Sequence, residues 1–106
     1  LATMGRSFDY ARVVAAQQLA AKPGSRAADV RAFLEDWRAQ VHAAFRGAYR
    51  ESIGDSAVLP RDPAEEERLS ALATIERVLY EIRYELGHRP ELVTVPLADL
   101  TALLAE

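Results

Sequence analysis

Glu76, Tyr80 and Tyr84 recur one helical turn apart, and Glu81 flanks them. Residues four apart lie on one side of an α-helix. Carboxylates accept hydrogen bonds from hydroxyl groups, and a phenol offers a flat apolar face with a polar tip. That combination suits a ligand rich in hydroxyls, such as a sugar. The same spacing also describes a helix edge with wetted tyrosine tips and solvated glutamates, and the pattern alone leaves both readings open. His42 and His88 have no second ligand at helical spacing, so a zinc site is not expected. His42 falls beside the Trp37/Val41 face as an edge residue. His88 sits in a turn, where it fills space or donates to a sugar oxygen. Ser7 and Asp9 are close together, but no base follows them, and no hydrolase arrangement emerges.

The chemistry that is missing is equally specific. Phosphoryl transfer needs a phosphate cradle, a cation on the phosphates, a Mg²⁺ carboxylate and a base. The sequence has no Gly-x-Gly-x-x-Gly, no Walker Gly-Lys-Ser/Thr and no His-x-Asp loop. This chain by itself is not expected to phosphorylate anything, and no residue in it is assigned to a metal or a cofactor.

The candidate stripe must be positioned by helices. Ile75, Val78, Leu79, Ile82 and Leu86 form an apolar stripe at helical spacing, which is expected to anchor this helix while the other side meets ligand. Asp62 is a good N-cap for it, Pro63 suits the first helical position, and Glu65 completes a capping box. Glu65, Glu66 and Glu67 favour the positive end of the helix dipole and need no metal to explain them. The helix is expected to run to Leu86 and end at Gly87. Upstream, a first helix is expected from about Leu1 to Ala21, weakened locally by Gly5. Lys22-Pro23-Gly24 stops it, and Ser25 caps a second helix from about Arg26 to Glu51. In that helix Val30, Phe33, Leu34, Trp37, Val41, Ala44, Phe45 and Ala48 fit the helical template. Trp37, Phe45 and Phe8 are expected in the core. Arg6 and Asp9 suit an i,i+3 pair, and Asp9-Tyr10 is expected to anchor helix one to helix three. After Arg89-Pro90, Leu92-Val93-Thr94-Val95 reads as a short β-prone extended segment. A short helix over Leu97–Ala105 ends the chain. The expected fold class is mainly all-α, with long antiparallel helices, a short extended segment and a terminal helix.

Composition narrows the classes further. The 106 residues make one domain, and half of them are hydrophobic, many of these alanine. The net charge of -3 is mild and mixed, which gives no reason to expect nucleic acid or an anionic membrane as partner. There is no cysteine, so disulfides and thiolate metal sites are excluded. No run approaches a membrane span, and the default location is cytoplasmic.

Glu76 to Leu97, ending Gly87-His88-Arg89-Pro90-Glu91-Leu92-Val93-Thr94-Val95-Pro96-Leu97, resembles the C-terminal segment of the actinobacterial maltokinases. These are aminoglycoside-phosphotransferase-like kinases, often partnered with or fused to trehalose synthase. Gly5-Arg6-Ser7-Phe8-Asp9-Tyr10-Ala11, Trp37 through Phe45-Arg46-Gly47-Ala48-Tyr49, and Val58-Leu59-Pro60 resemble the same family in the same order. The likeness therefore covers nearly the whole chain. It implies the C-terminal helical subdomain of a protein-kinase-like fold, which walls the acceptor-sugar pocket through Glu76, Tyr80, Glu81 and Tyr84. It also implies that ATP and Mg²⁺ are bound by kinase lobes upstream of Leu1, and that the intact enzyme converts maltose to maltose 1-phosphate for α-glucan synthesis. Leu1-Ala2-Thr3-Met4 starts in mid-pattern, as expected of the tail of a longer kinase. Gly87-His88 stands where many maltokinases show two asparagines, which leaves another small-sugar or aminosugar kinase open. A non-catalytic helical interaction module, for instance one that docks on trehalose synthase, is the reading from a different class.

Overall fold

The computed structural model describes residues 1–22, 24 and 26–105. Among them there are four α-helices and no strand: α1 (Ala2–Ala20), α2 (Ala27–Ile53), α3 (Pro63–His88) and α4 (Thr94–Ala105), with a 3₁₀ turn over Pro90–Leu92. The all-α class expected from periodicity holds. The chain divides into two compact units, one over Thr3–Ser56 and one from Ala57 onward. The Pro23 stop and the Ser25 cap expected from the sequence lie outside the described residues.

The first unit is an antiparallel helical hairpin whose register can be read from its side-chain pairs. Gly5 lies against His42, Phe8 against Trp37 and Phe45, and Arg12 bonds Glu35. A Cβ at Gly5 would come within 2.9 Å of the His42 ring, so glycine is what admits α2 this closely. Leu34 is the one fully buried apolar residue of α2. Trp37, Val41 and Phe45 are half-buried, and Phe33 is 65% exposed. Trp37 and Phe45 are therefore not the fully enclosed core residues the periodicity suggested. A hairpin of two helices has a single seam, and the apolar stripe of α2 is wider than that seam. Gly54, with φ +54°, ends α2 while its N–H still bonds the Arg50 carbonyl.

In the second unit the N-terminus of α3 forms as its residues dictate. Asp62 Oδ1 accepts from the Ala64 N–H at 3.0 Å, and Pro63 takes the first position. Glu65 makes no return bond, so the cap is Asp62 alone. The helix passes Gly87 and closes at His88, where the Arg89 N–H still reaches the Glu85 carbonyl at 2.8 Å. The segment expected to be extended is not. Pro90–Leu92 forms the 3₁₀ turn, and Thr94 and Val95 already belong to α4. Pro96 explains why this is permitted. It stands in the first turn of α4, where a backbone N–H would have no intrahelical acceptor anyway. The first bond of α4 is made by Leu97 N–H to Val93 O at 3.2 Å.

Candidate functional site

The buried side of α3 shares only Val78 with its apolar stripe. Val78, Glu81 and Glu85 are buried, at i, i+3 and i+7. Leu72, Leu79 and Leu86 are each more than half exposed. Ile75 and Ile82 lie between them and are half-buried. The five make a continuous seam with alternating three- and four-residue steps. The expected anchor of α3 is thus largely an open apolar face, and its buried face carries two carboxylates.

Those carboxylates are provided for. Arg89 meets Glu85 at two points, Nε to Oε2 at 3.0 Å and Nη2 to Oε1 at 2.6 Å. Such two-point pairing is the strong form of the charge-assisted hydrogen bond. Arg77 Nε stands 3.6 Å from Glu81 Oε1, an ion pair too long for a hydrogen bond. Buried charges persist in folded proteins where they are paired in this way.

The four candidate residues therefore separate. Glu76, Tyr80 and Tyr84 share one exposed edge of α3, while Glu81 is only 6% exposed, on the buried side. The tyrosines continue as a ladder. Tyr80 and Tyr84 stack at 6.2 Å between ring centroids, 19° from parallel. Tyr84 and His88 stack at 4.3 Å and 14°. The Arg77 guanidinium lies 4.5 Å from the Tyr80 ring centre, and that of Arg89 lies 5.6 Å from Tyr84. Each tyrosine thus has ring and guanidinium neighbours along the helix, while Tyr80 stays 53% and Tyr84 39% exposed. Their hydroxyls and the Glu76 carboxylate make no hydrogen bond among the described residues, so their polar capacity is unspent. The i, i+4 spacing would have brought His88 into this row had the helix been extended two residues beyond Leu86.

The first unit holds a second cluster. The Asp9 carboxylate is 5% exposed and accepts three bonds. Arg6 Nη1 reaches Oδ2 at 3.1 Å, and Arg38 Nε and His42 Nε2 both reach Oδ1, at 2.5 and 3.1 Å. The Arg6–Asp9 pair was legible in the sequence. Asp9 is tied to α2 through Arg38 and His42. Phe8 meets Trp37, His42 and Phe45 edge-on at 5.8–6.4 Å. Further along the hairpin a groove of about 220 Å³ opens between Ala16 and Ala20 of α1 and Ala27, Val30 and Leu34 of α2. Arg12 borders it, with Nη1 on Glu35 at 2.6 Å and Nε buried without a hydrogen bond.

No group of three or more His, Cys, Asp or Glu among the described residues is placed to hold a metal ion. No described helix is long and apolar enough to cross a membrane. No protein-family profile matches the chain. A comparison with solved structures returns no match either.

Proposed function

We propose that this chain is the acceptor-sugar side of a maltokinase-like enzyme, a helical C-terminal portion of a protein-kinase-like fold. In the intact protein ATP and maltose would give ADP and maltose 1-phosphate. The observation that carries the reading is the open edge of α3. There Glu76, Tyr80 and Tyr84 present one carboxylate and two hydroxyls that no other described residue bonds. The four ordered segments of resemblance support it. Glu81 contributes from the buried side, where it stiffens the helix that carries the other three. The sequence has no phosphate-cradle motif for ATP, and no group of side chains among the described residues is placed to hold Mg²⁺. In this reading both would be held by kinase lobes outside these residues, and no step of phosphoryl transfer is assigned to them.

The seam of Leu72, Leu79 and Leu86 favours a second reading, a non-catalytic helical module that docks on a partner such as trehalose synthase. In the kinase reading the upstream lobes cover that same face.

Isotope-labelled chain titrated with maltose tests the proposal. The resonances of Glu76, Tyr80 and Tyr84 should move with maltose and stay still with Mg·ATP. The chain alone should turn over neither compound. If none of the three resonances responds to maltose while the seam leucines respond to trehalose synthase, the docking module replaces the sugar site.

A further inference from the structure

The open seam of α3 has the period of a coiled coil. Leu72, Ile75, Leu79, Ile82 and Leu86 alternate steps of three and four residues. The leucines therefore take the a positions of a heptad and the isoleucines the d positions. The g positions are Val78 and Glu85, both buried in a helix that packs on α4. The e positions are Glu76 and Arg83, both exposed. Neither has an opposite charge three or four residues away, where a helix forms its own ion pairs. Seven residues separate them, roughly 10 Å along the axis, so they do not pair with each other. Among the described residues neither has a hydrogen-bond or ion-pair partner. An apolar seam is thus bordered on its free side by one anion and one cation that the chain itself leaves unpaired.

We infer that this seam is an antiparallel coiled-coil interface whose occupant is a second copy of the same chain. A two-fold axis between Leu79 and Ile82 sets Leu79 against Ile82 of the second copy and Ile75 against its Leu86, each pairing made twice. The same register sets Glu76 of each copy opposite Arg83 of the other, so all four unpaired charges are matched at once. The charges also reject the alternatives. A slip of one heptad in either direction puts like against like, Glu76 on Glu76 or Arg83 on Arg83. A parallel pair sets e against g, which gives Arg83 only Val78 to face. The seam rises roughly 21 Å from Leu72 to Leu86. That is short for a free coiled coil, but α3 is already folded on α4, so association does not carry the cost of forming the helix. The inference goes beyond the sugar reading and does not rest on it. Tyr80 and Tyr84, at b and f, lie off the seam, and Glu76 is the one residue that both claim.

Sedimentation equilibrium of the 106-residue chain, from micromolar to near-millimolar concentration, tests it. The wild-type chain should pass from monomer to dimer and no further. Glu76→Arg and Arg83→Glu each place like charges in both cross-seam pairs, and each should weaken the dimer about ten- to thirty-fold. The double variant exchanges the two charges and should restore wild-type association. Mixing the two single variants should give a heterodimer, because every arginine of one then faces a glutamate of the other. Far-UV circular dichroism confirms that the variants keep their helix. A chain that stays monomeric at every concentration overturns the inference and leaves the face to a different protein or to the kinase lobes. A dimer indifferent to both single reversals, or single variants that fail to recombine, overturns it as well. None of these outcomes decides the maltose titration, so the two readings fail separately.

Discussion

Arg89 closes the last turn of α3 by gripping the buried Glu85 carboxylate with two nitrogens, across Gly87 and His88. Glu85 is 1% exposed, so it has no water to turn to when the partner is removed. Arg89 itself is about half exposed, which screens its side of the pair. Arg89→Ala is expected to cost about 2–3 kcal/mol, below the usual range for breaking a fully buried pair. Arg89→Lys should regain less than half, because an ammonium cannot span both carboxylate oxygens. Urea denaturation followed by circular dichroism measures both. A loss below about 0.5 kcal/mol for the alanine variant would show that Glu85 has enough other support.

Gly5→Ala should have the opposite sign from its helix propensity. Alanine in a helix interior is worth about 1 kcal/mol over glycine. Here the added methyl meets the His42 ring at 2.9 Å, and that ring is held by Asp9 and by the edge of Phe8. Net destabilisation of about 1 kcal/mol is expected. Combining it with His42→Ala should turn Gly5→Ala stabilising relative to His42→Ala alone. A stabilised single variant would mean that the histidine moves aside freely.

Phe8→Ala should cost more than Trp37→Ala, although tryptophan is the larger side chain. All three are half-buried, but Phe8 meets three rings edge-on, and the ring contacts of Trp37 and Phe45 are with Phe8. About 2–4 kcal/mol is expected for Phe8→Ala, and about 1–3 for Trp37→Ala or Phe45→Ala. Equal losses at Phe8 and Trp37 would remove Phe8 from the centre of the cluster.

In an intact kinase, Tyr84→Phe should raise the sugar KM about three- to ten-fold and leave the ATP KM unchanged. The ring stack with Tyr80 and His88 survives the change, so a loss reports the hydroxyl. Glu81→Gln differs, because it alters a buried group 3.6 Å from Arg77 and should lower stability along with affinity. Tyr84→Phe with both constants within two-fold of wild type would make the ladder a helix-stabilising row.

Local signals in the sequence were reliable where short-range chemistry decides. Asp62-Pro63 sets the start of α3, and Arg6–Asp9 pair within α1 as three-residue spacing allows. Signals that depend on what packs against a helix misled. Of the apolar stripe on α3, Val78 is buried as its spacing predicts, but Leu79 and Leu86 are exposed and the helix buries Glu81 and Glu85 instead. Only tertiary pairing, such as Arg89 on Glu85, makes a buried glutamate tolerable, and spacing alone does not reveal which glutamates are paired. Leu92–Val95 was read as extended from β-branching, but a proline in the first turn of a helix and the 3₁₀ turn before it outweigh that preference.

The Asp9 cluster has a consequence for descent. Three side chains from two helices share the Asp9 carboxylate, so a change at any of the four positions is coupled to the others. Neutralising Asp9 alone leaves two guanidiniums facing each other, and losing Arg38 alone leaves Oδ1 to a histidine. Positions 6, 9, 38 and 42 should therefore be inherited as a block. Lineages that abandon the carboxylate should have replaced the cations in the same step.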